Sequence, residues 1–311
     1  MSACFYTIIS TKTIFVDPNK RSCSSLNVFY KRVSDVTKQI LYQFIKDNTI
    51  SLLNYNFNLF FQHYIKKNKI QVIGHHFTNH KIEGLTIIDE HGISFSYEKD
   101  NPKAKQNFTL CHELGHFILN HSATCFTESV DNKENILERE ANIFSAVVLM
   151  PDIVLLSKIY YSCDTFEQVK NSLKVSRQAL YYRLLDLLRE YFFNMEYQIK
   201  SAVENYINGQ NAALLILLYE IKENIIKEFN EYKPSIVNRI KKRMNQVNYL
   251  TSQEFPELLD RNQWDKIQNN DTNFKIWSVY NKGKSITYVW NDKKLSANEA
   301  RKKAELQLLL M

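Results

Sequence analysis

The spacing of apolar residues changes along the chain and predicts where helices give way to strands. Between residues 27 and 65, apolar positions recur at three-to-four spacing, which is typical of helices. From residue 69 the spacing falls to two, with a strand expected over 70–77 and a hairpin formed by 84–88 and 93–97. The pattern therefore predicts an α+β fold that is mostly helical, with a small antiparallel sheet.

The helical spacing returns after residue 103 and continues to about residue 245. Pro151 is expected to end an apolar-rich helix over 136–150, because proline cannot continue a helix, and Pro234 separates two later helical patterns. We divide the chain into four consecutive segments. They are an N-terminal helical segment at 1–68, a core at 69–157, a helix-turn-helix-like segment at 158–195, and a helical plus small α/β region of unknown role at 196–311.

Composition and charge restrict the classes of protein to consider. The 311 residues are 44% hydrophobic and 23% charged, as in a globular chain, and the net charge of +7 is too thinly spread to indicate a nucleic-acid partner. The five cysteines form no C-x-x-C pair, which favours a reducing compartment. The first residues lack the features of a signal peptide, and the longest apolar run, 212–218, is too short to span a bilayer. We expect a cytoplasmic protein without a membrane partner.

One short motif carries candidate chemistry. The stretch H-E-L-G-H from His112 to His116 lies in an apolar region without proline, so it can form a helix. On a helix the two histidines lie one turn apart on one face, where two imidazoles can bind one Zn²⁺. Glu113 beside them can accept a proton from an attacking water. The motif alone is not decisive, because a catalytic zinc needs a third protein ligand.

A third histidine does not fit the known spacing. His121 follows His116 by five residues, whereas the elongated H-E-x-x-H-x-x-G-x-x-H pattern needs six, and a glycine where this chain has Leu119. That pattern therefore fails. The other choice is a carboxylate from the following helix, which would give a site with two histidines and one glutamate.

Three glutamates near that helix are candidates, namely Glu134, Glu138 and Glu140. Glu138 and Asn142 are four residues apart and share a face that adjoins the apolar side of the helix. Glu138 is therefore the first choice of ligand, and Asn142 is the expected hydrogen-bond partner of a ligating histidine. Glu134 shares that face one turn earlier and ranks second. Glu140 lies on a different side and is expected to make a solvent-exposed or structural contact.

Taken together, these motifs resemble those of the ImmA/IrrE family of zinc metallopeptidases. The matching stretches are N-F-T-L-C-H-E-L-G-H at 107–116, N-H at 120–121, E-R-E-A-N-I-F-S-A at 138–146 and L-M-P at 149–151. Cys111 and Ser145 stand where the family usually has alanine, and neither difference removes a ligand. The resemblance covers about residues 70–190 and implies a zincin-like site, built on two helices, in the 69–157 core.

The resemblance also implies a ligand set, a reaction and a substrate. It assigns Zn²⁺ to His112, His116 and Glu138. It assigns the general base of peptide-bond hydrolysis to Glu113. The expected substrate is a regulatory protein, a helix-turn-helix transcriptional repressor of a mobile element or stress response. We further expect the strands at 85–97 to offer an edge to an extended substrate, and we consider His91, Tyr97 and His121 as groups that stabilise the transition state.

A second interpretation is a regulator that retains the metallopeptidase fold without proteolysis. Residues 164–189 resemble a helix-turn-helix, with Ser176 as the N-cap of the second helix, and this predicts weak DNA contact. Arg177, Gln178, Tyr181, Tyr182 and Arg183 are expected on its outer face. A toxin–antitoxin-type regulator would instead bind a protein through its C-terminal part.

Overall fold

The computed structural model describes residues 23–77, 82–121, 125–129 and 136–310. Residues 1–22 of the predicted N-terminal segment and the alternative ligand Glu134 lie outside the described residues. The α+β class is confirmed. The helices are α1 (Cys23–Asp47), α2 (Phe57–Asn68), α3 (Lys103–Ile118), α4 (Ile136–Leu149), α5 (Asp152–Leu156), α6 (Phe166–Leu173), α7 (Arg177–Tyr191), α8 (Glu196–Ile207), α9 (Ala212–Glu231), α10 (Ile236–Met244), α11 (Asn262–Asn270) and α12 (Ala297–Leu310). The strands are β1 (Gln71–His75), β2 (Ile82–Asp89), β3 (Gly92–Glu98), β4 (Cys125–Ser129), β5 (Tyr249–Thr251), β6 (Phe274–Asn281) and β7 (Lys284–Asn291).

The chain forms two compact units, each assembled from three separate stretches. Unit 1 comprises Met1–Lys38, Ile65–Met150 and Lys174–Glu204, and unit 2 comprises Gln39–Tyr64, Pro151–Leu173 and Asn205–Met311. Each compact unit therefore combines stretches of the chain that are distant in sequence. The division into four consecutive segments stays a prediction.

Unit 1 contains a four-stranded sheet in the order β1-β3-β2-β4. The predicted hairpin is present, since β2 and β3 are antiparallel and the Asp89 carboxylate accepts a hydrogen bond from the His91 amide in the turn. The sheet is mixed, however, because β1 pairs with β3 in parallel. β4 lies in a stretch without strand-like spacing and pairs antiparallel with β2. Both additions join segments that are separated in sequence, which the local spacing of apolar residues does not encode.

α3 packs against the inner strands of this sheet. Thr86 of β2 and Phe95 of β3 lie opposite each other and are fully buried. Phe117 of α3 meets Phe95 edge-on, with ring centroids 6.4 Å apart. This contact packs the C-terminal end of α3 against β3, and α3 also contacts β2.

α3 and α4 pack closely at Gly115. A Cβ atom at this position would lie 3.0 Å from the ring of Phe144 and 3.4 Å from the Cα of Ala141, and both of those residues are fully buried. The absence of a side chain therefore allows the two helices to approach each other. The approach brings the histidine face of α3 beside the Glu138 face of α4.

α4 ends at Leu149, two residues before Pro151, as predicted. Residues 136–161 form one apolar helical run long enough to cross a bilayer, but 78% of its most apolar window is buried inside the protein. Burial of this kind is consistent with a core helix of a soluble protein.

Unit 2 contains a second sheet in the order β5-β7-β6, in which β6 and β7 form an antiparallel hairpin. α12 covers it with Ala300, Ala304 and Leu308, which are buried at intervals of four residues in one cluster with Tyr288 and Trp290. The basic run of α10 is largely paired, as shown by Arg239 with Glu257 at 2.5 Å and Arg243 with Glu254 at 2.7 Å. Because of these pairs, we interpret the basic side of α10 as an ordinary solvent-exposed helix face.

α7 begins at the predicted cap, but its outer face carries one cation fewer than expected. The Ser176 hydroxyl accepts a hydrogen bond of 3.0 Å from the Ala179 amide. Arg183 is only 2% exposed, and its Nε donates to the carbonyl of Met150 at 3.2 Å. The expectation that Arg183 faces outward is wrong, because its guanidinium satisfies a buried carbonyl. DNA contact through 164–189 stays a prediction.

Replacing the cap tests its contribution to α7. Ser176→Ala is expected to lower the free energy of unfolding by about 1 kcal/mol, because the Ala179 amide loses its acceptor. Thermal unfolding measures the change. Ser176→Asp is the matched control, since it keeps an acceptor and adds a charge that is favourable at a helix N-terminus, so it should unfold like the wild type. Equal stability of Ser176→Ala and wild type would contradict the prediction.

Candidate metal centre

α3 places both histidines of the motif on one buried face. His112 and His116 are each 1% exposed, and Glu113 is fully buried. The burial follows from the position of α3, which contacts β2 and β3 as well as α4. Polar groups at this depth must be satisfied by other polar groups or by a ligand.

Glu138 of α4 completes a cluster with the two histidines. Its Oε2 lies 3.0 Å from Nε2 of His112 and its Oε1 lies 3.5 Å from Nε2 of His116, while the two Nε2 atoms are 3.0 Å apart. One ligand atom from each residue lies within 4.8 Å of the others. Two imidazole nitrogens and a carboxylate form a ligand set that catalytic zinc uses. The three side chains therefore fit a metal ion.

The remaining nitrogen of each histidine has a polar neighbour. Nδ1 of His112 lies 3.0 Å from Oδ1 of Asn142, the residue expected in this place. Nδ1 of His116 lies 2.8 Å from Nδ1 of His121, whose Nε2 is 2.9 Å from Oε2 of Glu140. A proton on Nδ1 leaves the lone pair on Nε2, so both rings can present Nε2 to the same point.

Glu113 is held by the sheet. The Thr86 hydroxyl donates a hydrogen bond to Oε2 of Glu113. A Cβ at Gly84 would lie 2.5 Å from Oε1 of Glu113 and 2.5 Å from Cγ2 of Thr109. Glycine at this position therefore lets β2 approach α3 closely enough for Thr86 to reach the carboxylate.

The electrostatics of the cluster favour the protonation states that bind metal. Burial acts to raise the pKa of Glu138, but hydrogen bonds and charges from His112 and His116 outweigh it and lower the pKa to about 2. Burial lowers the pKa of His116 by more than its hydrogen bond to Glu138 raises it. A carboxylate and a neutral imidazole are the ligand forms.

Sequence reasoning missed the part that His121 plays. The five-residue spacing excludes it from the elongated ligand pattern, and the structure places it behind His116. Glu140 makes a structural contact, as expected, with His121 and with Arg32 at 2.6 Å. The one residue in the sequence that could have indicated this position of His121 is Asn120, which lies two residues after the end of α3 and has φ +54°. Asparagine tolerates this left-handed conformation, which turns a chain back onto the end of its helix.

Two further expectations concerned the substrate. β2 and β3 are inner strands, so the expectation that 85–97 offers a free edge is wrong. Among the described strands the edges of this sheet are β1 and β4, and β4 is the one that pairs with β2. Of the groups considered for transition-state stabilisation, His91 is 85% exposed in the hairpin turn, and the Tyr97 hydroxyl lies against Gly74 of β1.

Filling the space at Gly84 should separate β2 from α3. We expect Gly84→Ala to destabilise the protein by about 1–3 kcal/mol, because its Cβ would overlap Glu113 and Thr109. Thermal unfolding measures the loss. Gly74→Ala in the neighbouring part of the sheet is the control, since its Cβ would be 3.3 Å from the nearest atom and a small shift accommodates it. A smaller loss for Gly84→Ala than for Gly74→Ala would contradict the packing described above.

Acid should destabilise the metal-free protein through this cluster. The folded-state pKa values of His116 and Glu138 lie below their ordinary values of 6.5 and 4.5, so the unfolded chain binds protons that the folded chain does not. Their contribution to stability is complete above those ordinary values. It is lost as the pH falls, first through His116 and then, from 4.5 towards about 2, through Glu138. With a chelator present, the melting temperature should fall more steeply from pH 8 to pH 4 for wild type than for His116→Asn; parallel slopes would contradict this.

Comparison with known proteins identifies the part of the chain that carries this centre. A peptidase family model described as the IrrE N-terminal-like domain matches residues 65–185. No curated protein matches the chain. The matched range contains the α3 motif, Glu138 and the sheet that holds Glu113. The match supports the family predicted from the motifs for this part of the chain: residues 65–185 are similar to the IrrE N-terminal-like domain of ImmA/IrrE-type metallopeptidases.

Proposed function

We propose that the protein is a zinc-dependent endopeptidase of the cytoplasm that cleaves a regulatory protein. The observation that carries the proposal is the convergence of His112, His116 and Glu138, on a helix that also carries the buried Glu113, inside a segment that matches a peptidase family. The substrate we propose is a helix-turn-helix transcriptional repressor of a mobile element or stress response. The family resemblance supports that choice of substrate.

The three ligands divide the task of binding the metal. His112 and His116 would each contribute Nε2, and Glu138 would contribute a carboxylate oxygen. Asn142 would keep the proton of His112 on Nδ1. Bound Zn²⁺ would supply a Lewis acid that polarises the scissile carbonyl and lowers the pKa of the attacking water.

Glu113 is the proposed general base. It accepts the proton of the attacking water and passes it to the leaving amine, which a carboxylate can do when it lies beside the reacting atoms without being a ligand. Thr86 fixes one of its oxygens, and the backbone at Gly84 limits the space around the other. A carboxylate held in this way loses little conformational entropy when the substrate binds.

The outer edge of β4 is the proposed surface for the scissile segment. An extended peptide can add to an open strand edge through main-chain hydrogen bonds. β4 pairs with β2, whose Gly84 and Thr86 contact Glu113, so a peptide along β4 would extend the same sheet that holds the base. This mode of binding requires an extended segment of the substrate, such as a linker between folded domains.

Replacing the base tests the reaction. We expect Glu113→Gln to bind Zn²⁺ like the wild type and to reduce cleavage by about 10²–10⁴-fold, because the amide cannot accept the proton. The measurement is co-expression with a candidate helix-turn-helix repressor, followed by detection of a shortened repressor. Metal content of the purified variant is measured in parallel.

Two further variants make the outcome specific. Glu90→Gln changes an exposed glutamate in the hairpin turn, with 88% of its side chain exposed, and should cleave normally. Glu138→Gln weakens a ligand and should lose both Zn²⁺ and cleavage. Undiminished cleavage by Glu113→Gln would refute the mechanism, and a wild-type protein that binds no Zn²⁺ would refute the metal assignment.

A further inference from the structure

A chain of polar side chains runs from the metal-binding cluster to the protein surface. Nδ1 of His116 lies 2.8 Å from Nδ1 of His121, and Nε2 of His121 lies 2.9 Å from Oε2 of Glu140. Oε1 of Glu140 lies 2.6 Å from Nη2 of Arg32 on α1. His121 is 8% exposed, whereas the Arg32 side chain is 65% exposed. All four residues belong to unit 1.

The end of α3 explains how His121 reaches His116. The His121 amide donates to the carbonyl of His116 at 3.1 Å, and the Asn120 amide donates to the carbonyl of Phe117 at 3.3 Å. With Asn120 at φ +54°, these bonds form a Schellman motif. The motif folds the residue after Asn120 back over the last turn of the helix. A five-residue spacing, which excludes His121 from the elongated ligand pattern, is therefore the spacing that places it behind a ligand.

The acceptor at the end of the chain fixes the direction of its hydrogen bonds. A carboxylate accepts hydrogen bonds and cannot donate them, so Nε2 of His121 carries a proton and donates the hydrogen bond to Glu140. Neutral His121 then offers Nδ1 as an acceptor, and His116 must donate from its own Nδ1. This arrangement leaves the lone pair of His116 on Nε2, the atom that lies 3.0 Å from Nε2 of His112.

We propose that His121 and Glu140 are positioning residues that set the tautomer and orientation of His116 for metal binding. The inference rests on the metal site of the proposed function. It extends that site to two residues outside the ligand set and to Arg32, which anchors Glu140 from α1. Partners of this kind typically change metal affinity by about 10–100-fold.

The expected effects on Zn²⁺ affinity decrease from His121 through Glu140 to Arg32. His121→Phe keeps a ring but removes both nitrogens, and should weaken Zn²⁺ binding by about 10–100-fold. Glu140→Gln keeps an acceptor for His121 but loses the charge, and should weaken binding less. Arg32→Met should change the affinity by less than about 3-fold, because an exposed ion pair contributes little.

The test measures Zn²⁺ affinity by competition with a chromophoric chelator, together with the tautomer of His116. Nitrogen-15 NMR of the metal-free protein reports the tautomer directly, and a merely structural role would leave it unchanged. The matched control is His75→Phe, which removes the two ring nitrogens of an exposed histidine on β1. This control should retain wild-type affinity and leave the proton of His116 on Nδ1.

The outcomes separate this inference from the proposed function. Weaker binding and a changed His116 tautomer in His121→Phe would support it, as would an intermediate effect of Glu140→Gln if His121→Phe does not fold. Wild-type affinity and a wild-type tautomer in the folded variants would overturn it. A wild-type protein that binds no Zn²⁺ would overturn the proposed function, and the tautomer comparison would still decide the role of His121.

Discussion

The close approach of α3 and α4 at Gly115 is the constraint on which the candidate centre depends. Glycine lowers the intrinsic stability of a helix interior by about 1 kcal/mol relative to alanine. Here the loss is offset because Phe144 and Ala141 pack fully buried into the space that a side chain would fill. At the resulting helix separation, short side chains can meet across the interface. Glu138 therefore reaches both histidines at 3.0 and 3.5 Å.

Burying this many polar groups lowers stability, and the structure offsets the loss with hydrogen bonds that link the two histidines to residues at the protein surface. His112 is linked to Asn142, which lies at the surface of α4. His116 is linked through His121 and Glu140 to an exposed arginine. Each imidazole thus has its Nδ1 satisfied from the protein and its Nε2 directed inward. Three electron-rich atoms so close together are most stable around a cation, which is why the cluster fits a metal better than it fits an ordinary core.

The sequence predicted those features that depend on local spacing. The one-turn interval of His112 and His116 and the four-residue interval of Glu138 and Asn142 follow from helix geometry alone, and the structure brings these side chains together. The parallel pairing of β1 with β3 did not follow, because it joins strands that are not consecutive. Arg183 was misplaced because the helical pattern treats arginine as polar, whereas its guanidinium satisfies a buried carbonyl. The position of His121 depends on one left-handed residue, which no periodicity reports.

The two proposed tasks of the centre, proton transfer and metal binding, fall on different faces of one helix. Consecutive residues of an α-helix point about 100° apart, so Glu113 cannot face α4 together with His112. It faces β2, where Thr86 and Gly84 determine its position, while the candidate ligands face α4. Packing against the sheet therefore orients the proposed base, and packing against α4 assembles the candidate ligands. Because His112, Glu113 and His116 share α3, a displacement of α4 would change the distance between Glu113 and Glu138, which ties the proposed chemistry of the centre to the core of unit 1.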